Sequence, residues 1–105
     1  MEIFEAEKYS DERWNEFYEK LQETVKKPTR KPLRAYAKTK DSIYDTSWGC
    51  FVNYVNDAYK ELRAGRSYFI YSVAHIKELV KIFGRDLVCR KHSDYWEVWL
   101  IRKTI

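Results

Sequence analysis

A polar cap, one apolar stripe, a glycine and two aromatic strands follow one another without a gap over residues 72–103. No other run constrains the fold as strongly. Val73, Ile76, Leu79, Val80 and Phe83 recur at the spacing that lines one side of a helix. Ser72 stands where an N-cap hydroxyl would accept a bond from a first-turn N–H. Gly84 follows Phe83 directly, and glycine readily takes the left-handed conformation that ends helices. Lys77, Lys81 and Arg85 lie four apart on another side, toward the end where the helix dipole favours positive charge.

Residues 86–91 and 95–103 are expected to be strands, with His92, Ser93 and Asp94 between them. Val88, Cys89, Tyr95, Trp96, Val98, Trp99 and Ile101 suit a pleated surface. Trp96, Val98 and Leu100 share one face of the second strand; Tyr95, Glu97, Trp99 and Ile101 share the other. A one-residue shift of register exchanges the two faces. The first set is the expected core face. The second is too aromatic for a solvated face, so Tyr95, Trp99 and Ile101 are candidate interface residues.

Upstream, residues 1–9 carry Ile3, Phe4 and Tyr9 among acids, as an edge strand or a loose arm would. Ser10 is placed to cap a helix with Asp11 and Glu12 in its first turn, where negative charge is favoured. Trp14, Phe17, Tyr18, Leu21 and Val25 form its stripe, which ends near Lys27 because Pro28 cannot continue it. Next, Leu33, Ala35 and Ala37 alternate with Arg34, Tyr36 and Lys38, the period of a half-buried strand. Asp45, Thr46 or Ser47 can cap a second helix, with Trp48, Phe51, Val52, Val55, Tyr59 and Leu62 as its stripe and Gly65 as its stop. Gly49 weakens the first turn and favours a later start. Residues 68–71 read as a brief aromatic strand. With no repeat and no low-complexity tract, residues 1–105 are expected to form a single compact α+β domain: three helices on a small antiparallel sheet that ends in a C-terminal β-hairpin.

The order helix, strand, helix, helix, hairpin resembles that of winged helix-turn-helix domains. That resemblance implies a recognition helix over residues 73–83 and a wing tip over residues 91–94. The strand at 68–71 departs from the pattern, as does the shortage of Asn, Gln and Arg on the would-be recognition face.

Charge is more informative than its net value of +4. Residues 1–23 hold eight acids against three bases, residues 26–40 hold seven bases and no acid, and residues 66–105 hold eight bases against four acids. Such polarity can offer a cationic surface to an anionic partner. It is equally met by mutual neutralisation of the acidic and basic segments. Four Trp, nine Tyr and five Phe give a short chain much core area, and also candidate stacking surfaces.

Little here points to catalysis. The three glycines stand apart, so phosphate loops and dinucleotide motifs are absent. Cys50, His75, Cys89 and His92 lack the two close pairs of a zinc site, and no metal or other cofactor is expected. Cys50 near a helix start would need a base such as His75 within reach to act as a nucleophile. No leader-like segment and no apolar run of about 20 residues is present, so a cytoplasmic protein with reduced thiols and no membrane contact is the expectation. The expected role is nucleic-acid binding without catalysis, by phosphate neutralisation and aromatic stacking on DNA or RNA. Its candidate residues are Lys27, Arg30, Lys31, Arg34, Tyr36, Lys38, Lys77, Lys81, Arg85, Arg90 and Lys91. The alternative is a protein-interaction module: a homodimer, or a small phage-type inhibitor that occupies a nucleic-acid-binding groove on an enzyme.

Overall fold

The computed structural model describes residues 11–34 and 47–101. Within them run α1 (Asp11–Thr24), α2 (Ser47–Arg63), β1 (Tyr68–Ile70), α3 (Val73–Phe83), a 3-10 turn (Gly84–Asp86), β2 (Leu87–Lys91) and β3 (Trp96–Leu100). The strands form one antiparallel sheet in the order β1-β3-β2, and β2 and β3 are the C-terminal hairpin. The fold is therefore α+β, three helices with a small antiparallel sheet. A strand lies between α2 and α3, where the winged helix-turn-helix order has a tight turn.

α1 stops at Thr24, short of Lys27. The Thr24 hydroxyl donates to the Leu21 carbonyl at 2.7 Å, and Val25 N–H reaches back only three residues, to Gln22. Both contacts tighten the last turn just before the proline-restricted stretch. α2 begins at Ser47, with Gly49 inside its first turn rather than ahead of it. Its end is a Schellman motif: Arg66 N–H donates to Glu61 O and Gly65 N–H to Leu62 O, both at 3.0 Å, with Gly65 at φ +83°.

α3 matches its expected bounds and is the centre of the core. Val73, Ile76, Leu79, Val80, Ile82 and Phe83 are all buried. Ser72 has the extended backbone of an N-cap, but its hydroxyl makes no capping bond; its carbonyl accepts from His75 N–H at 3.2 Å instead. Ile82 lies off the apolar stripe. Its carbonyl accepts from Arg30 N–H, so residues 29–34 pass beside it, a proximity that periodicity does not encode.

The hairpin register pairs Leu87, Cys89 and Lys91 with Leu100, Val98 and Trp96, and Tyr68 and Ile70 with Val98 and Trp96. Trp96 and Val98 are buried, as expected of the core face. Leu100 is half-buried at its margin. The outer face carries Phe69, Val88, Arg90, Glu97 and Trp99. Both strands are shorter than expected. Asp86 belongs to the 3-10 turn and Tyr95 precedes β3, although Ile101 N–H still donates to Asp86 O at 2.9 Å.

α1 is fixed over the core face by Trp14, which is fully buried. Its ring stacks on Tyr18 and lies 5.0 Å from Trp96, centroid to centroid. The Tyr18 hydroxyl donates to the Leu87 carbonyl, which also accepts from Gln22 Nε2 at 2.9 Å. Burial pushes the Tyr18 phenol and the Cys89 thiol far above their ordinary values of 10.0 and 9.0. The Cys89 charge adds to the shift at Tyr18.

These shifts set an alkaline limit. Both groups fold in their neutral forms, so their stabilisation is complete below the unfolded-state values. Above those values the unfolded chain loses protons that the folded chain retains. Stability should then fall by up to about 1.4 kcal/mol per pH unit per group, until the folded groups themselves ionise. Denaturant titrations at stepped pH should show the decline starting near pH 9, and Tyr18→Phe should flatten the part above pH 10. An unchanged slope in that variant would mean that Tyr18 ionises freely.

Candidate nucleic-acid interface

Residues 25–34 leave α1 and cross the C-terminal end of α3 as a strap. The last carbonyls of a helix have no partner of their own. Here Lys81 O accepts from Thr29 N–H at 3.1 Å and Ile82 O from Arg30 N–H at 2.9 Å. α2 clamps the strap from the other side. Asn56 acts as a short piece of sheet: its Oδ1 accepts from Leu33 N–H at 2.9 Å and its Nδ2 donates to Leu33 O at 3.2 Å. The Tyr59 hydroxyl donates to Arg30 O at 3.3 Å. Leu33 and Arg34 are thus not in a strand. The rest of the strand expected there, with Tyr36 and Lys38, lies outside the described residues.

Two further features lock the strap. Arg30 has φ +56°, a conformation that non-glycine residues seldom adopt, and its guanidinium pairs with Asp86 at 2.5 Å. Gly84, at φ +61°, lies against the Pro28 ring, so closely that a Cβ there would fall 2.6 Å from Pro28 Cγ.

This docking gathers six of the expected cations, Lys27, Arg30, Lys31, Arg34, Lys81 and Arg85, around the end of α3. Lys31, Arg34 and Lys81 border an open cleft of about 330 Å³ whose floor includes Pro32, Leu33 and Ile82. Two charges are partly spent: Arg30 on Asp86, and Lys81 on Glu78 at 3.0 Å. Lys27, Lys31, Arg34 and Arg85, together with Lys26, make no ion pair with a described residue. All five are exposed. The carbonyl end of the helix dipole favours such a gathering of positive charge.

The remaining candidates lie elsewhere. Lys77 sits one turn earlier on α3, its Nζ 5.7 Å from the Phe17 ring of α1. Arg90 and Lys91 are near the hairpin turn, about 10 and 13 Å along β2 from Leu87 at the usual rise of a strand. Arg90 faces outward beside Glu97, and Lys91 is half-buried opposite Trp96. Of the candidate interface residues, Tyr95 packs against His92, Phe69 and Tyr71 at 4.8 to 5.8 Å. Trp99 is half-buried against the margin of the core, and Ile101 is exposed.

Cys50 is exposed on α2 and Cys89 half-buried on β2, and no disulfide joins them. His75 lies 5.0 and 5.7 Å from the Phe51 and Tyr54 rings, and burial lowers its pKa. Among the described residues no three His, Cys, Asp or Glu side chains cluster as metal ligands would. No helix among them is long and apolar enough to cross a membrane.

Sequence reasoning missed a second pocket, at the other end of α3. Tyr54, Tyr68, Phe69, Ile70, Tyr71, Ser72 and His75 line about 350 Å³ there. Tyr54 stands off the apolar stripe of α2, and that was the available signal. Comparison of the chain with protein-family models, with curated proteins and with solved structures finds no match.

Proposed function

We propose that the chain binds the sugar-phosphate backbone of nucleic acid along the margin formed by the strap and the end of α3. One observation carries this reading: the strap's docking places Lys27, Lys31 and Arg34 beside Lys81 and Arg85 on a rigid support. A strap whose backbone is already held brings its cations to phosphates without first being ordered, so less entropy is lost on binding. No Asn or Gln lines the cleft between the strap and α3, and the Asn56 amide is already used by Leu33, so little base discrimination is expected. A recognition-helix role for α3 has less support, because six of its eleven residues are buried.

The test is the double variant Lys31→Glu/Arg34→Glu. Both side chains are exposed and make no ion pair with a described residue, so the melting temperature should move by about 2 °C or less. Affinity for a labelled oligonucleotide at low salt should fall at least 30-fold, since two attractive contacts become repulsive. Retained affinity would remove the strap from the binding surface. A role in protein interaction draws on a different feature, the aromatic residues exposed around the second pocket.

A further inference from the structure

Three of the four large hydrophobic side chains exposed among the described residues, Tyr54, Phe69 and Tyr71, surround that one pocket. Clustered exposed aromatics mark binding surfaces, whereas scattered ones do not. The pocket is lined by every residue from Tyr68 to Ser72. Successive strand residues point to opposite faces, so a pocket touching all of them runs along the edge of β1 rather than over a face. β1 is an edge strand among the described residues, with β3 on one side only. Among the described residues no strand pairs with its outer side, where a strand can be added. Tyr54 of α2 and His75 of α3 form the opposite wall, their rings nearly parallel. Tyr95 braces Phe69 and Tyr71 from behind.

Carboxylates stand beside this groove. Asp57 lies one turn along α2 from Tyr54. After burial, its charge is the next cause that raises the Tyr68 phenol pKa, followed by Tyr54 and Glu61. Glu61 is held by Arg66 at 2.5 Å, whereas Asp57 makes no ion pair with a described residue. No lysine or arginine lines the pocket. Burial lowers the His75 pKa and so disfavours the charged form that would repel a cation. Aromatic faces with an adjacent carboxylate suit a cation on an apolar stem. A nucleobase would bring its phosphate toward Asp57.

We propose that this groove docks an extended basic segment of a partner protein, its backbone paired to the edge of β1 and one arginine or lysine side chain among Tyr54, Tyr68, Tyr71 and His75. The site is separate from the strap and does not depend on nucleic-acid binding there.

The experiment is an amide-shift titration of the full chain with a nine-residue Thr/Val/Ser peptide carrying one central arginine. Its controls are the same peptide with glutamine at the centre and a single-stranded oligonucleotide. Shifts should concentrate on Tyr68–Ser72, Tyr54 and His75, with the arginine peptide binding at least tenfold more tightly than the glutamine one. Tyr54→Ala and Asp57→Asn, both at exposed positions, should each weaken it several-fold, and Lys31→Glu/Arg34→Glu should leave it unchanged. Equal binding of the two peptides, shifts confined to the strap, oligonucleotide rather than peptide shifting these amides, or no shift at millimolar peptide would each overturn the proposal.

Discussion

Gly84→Ala should cost about 3 to 4 kcal/mol and loosen the strap at the same time. At φ +61° and ψ −133° the backbone of Gly84 lies in a region that side-chain-bearing residues avoid, and forcing alanine there costs about 1 to 3 kcal/mol. The new Cβ would also meet Pro28 Cγ at 2.6 Å, closer than van der Waals contact allows. Pro28 cannot yield cheaply. It is a ring adjoining Thr29, whose N–H caps Lys81 O. The same substitution therefore strains the turn that starts β2 and pushes the strap from the helix end it caps. Against a typical total stability of 5 to 15 kcal/mol, that is a large share. Pro28→Ala on the Gly84→Ala background should recover about 1 kcal/mol by relieving the contact while leaving the backbone strain. Urea titrations of the two single variants and the double variant check this. A loss below 1 kcal/mol for Gly84→Ala would show that the turn adapts freely.

Trp14→Ala should be as damaging by another route. The side chain is fully buried against Phe17, Tyr18 and Trp96, and removing a buried tryptophan costs about 3 to 5 kcal/mol. Trp14 is also the main apolar anchor of α1 on the sheet. Its loss leaves the half-buried Phe17 and Leu21, with Tyr18, Gln22 and their bonds to Leu87 O, to hold the helix. Near-UV circular dichroism should lose most of its tryptophan–tyrosine signal, and the denaturation midpoint should fall. Trp14→Phe, which keeps a ring in the site, should retain at least half of the lost stability. Equal losses in the two variants would mean that the indole is not what fixes α1.

These sites differ in how far the chain announces them. The bounds of α3 follow from adjacent residues: a stripe of period 3.6 beginning at Val73 and a glycine directly after Phe83. The Gly65 stop is similarly local. The choice of hairpin face was open to sequence, because Trp96 and Trp99 serve a period-two pattern equally well; packing against Trp14 decides for Trp96. The strap was not legible as a cap. Its hydrogen bonds join Thr29 and Arg30 to residues about fifty positions away, and Asn56 to Leu33 across twenty-three. Alternation at Leu33, Ala35 and Ala37 suggested a strand there, while a left-handed Arg30 and a clamping asparagine have no periodic signature. Burial of Ile82 was missed for the same reason. Of the site, the cations were visible as a basic run and a helical line, but their meeting at one end of α3 depends on the strap. The basic pair at the hairpin turn belongs to another region. The edge groove was hidden because its walls come from three elements.

The most direct measurement is the affinity of the chain for a labelled duplex and a labelled single strand across about 50 to 300 mM salt, followed by anisotropy. About five phosphate contacts at Lys27, Lys31, Arg34, Lys81 and Arg85 predict micromolar binding at low salt. The logarithm of the binding constant should then fall against the logarithm of salt with a slope of about −4.5 for the duplex and −3.5 for the single strand. Absence of binding at 50 mM salt, or a slope near zero, would contradict phosphate neutralisation by the strap and the end of α3.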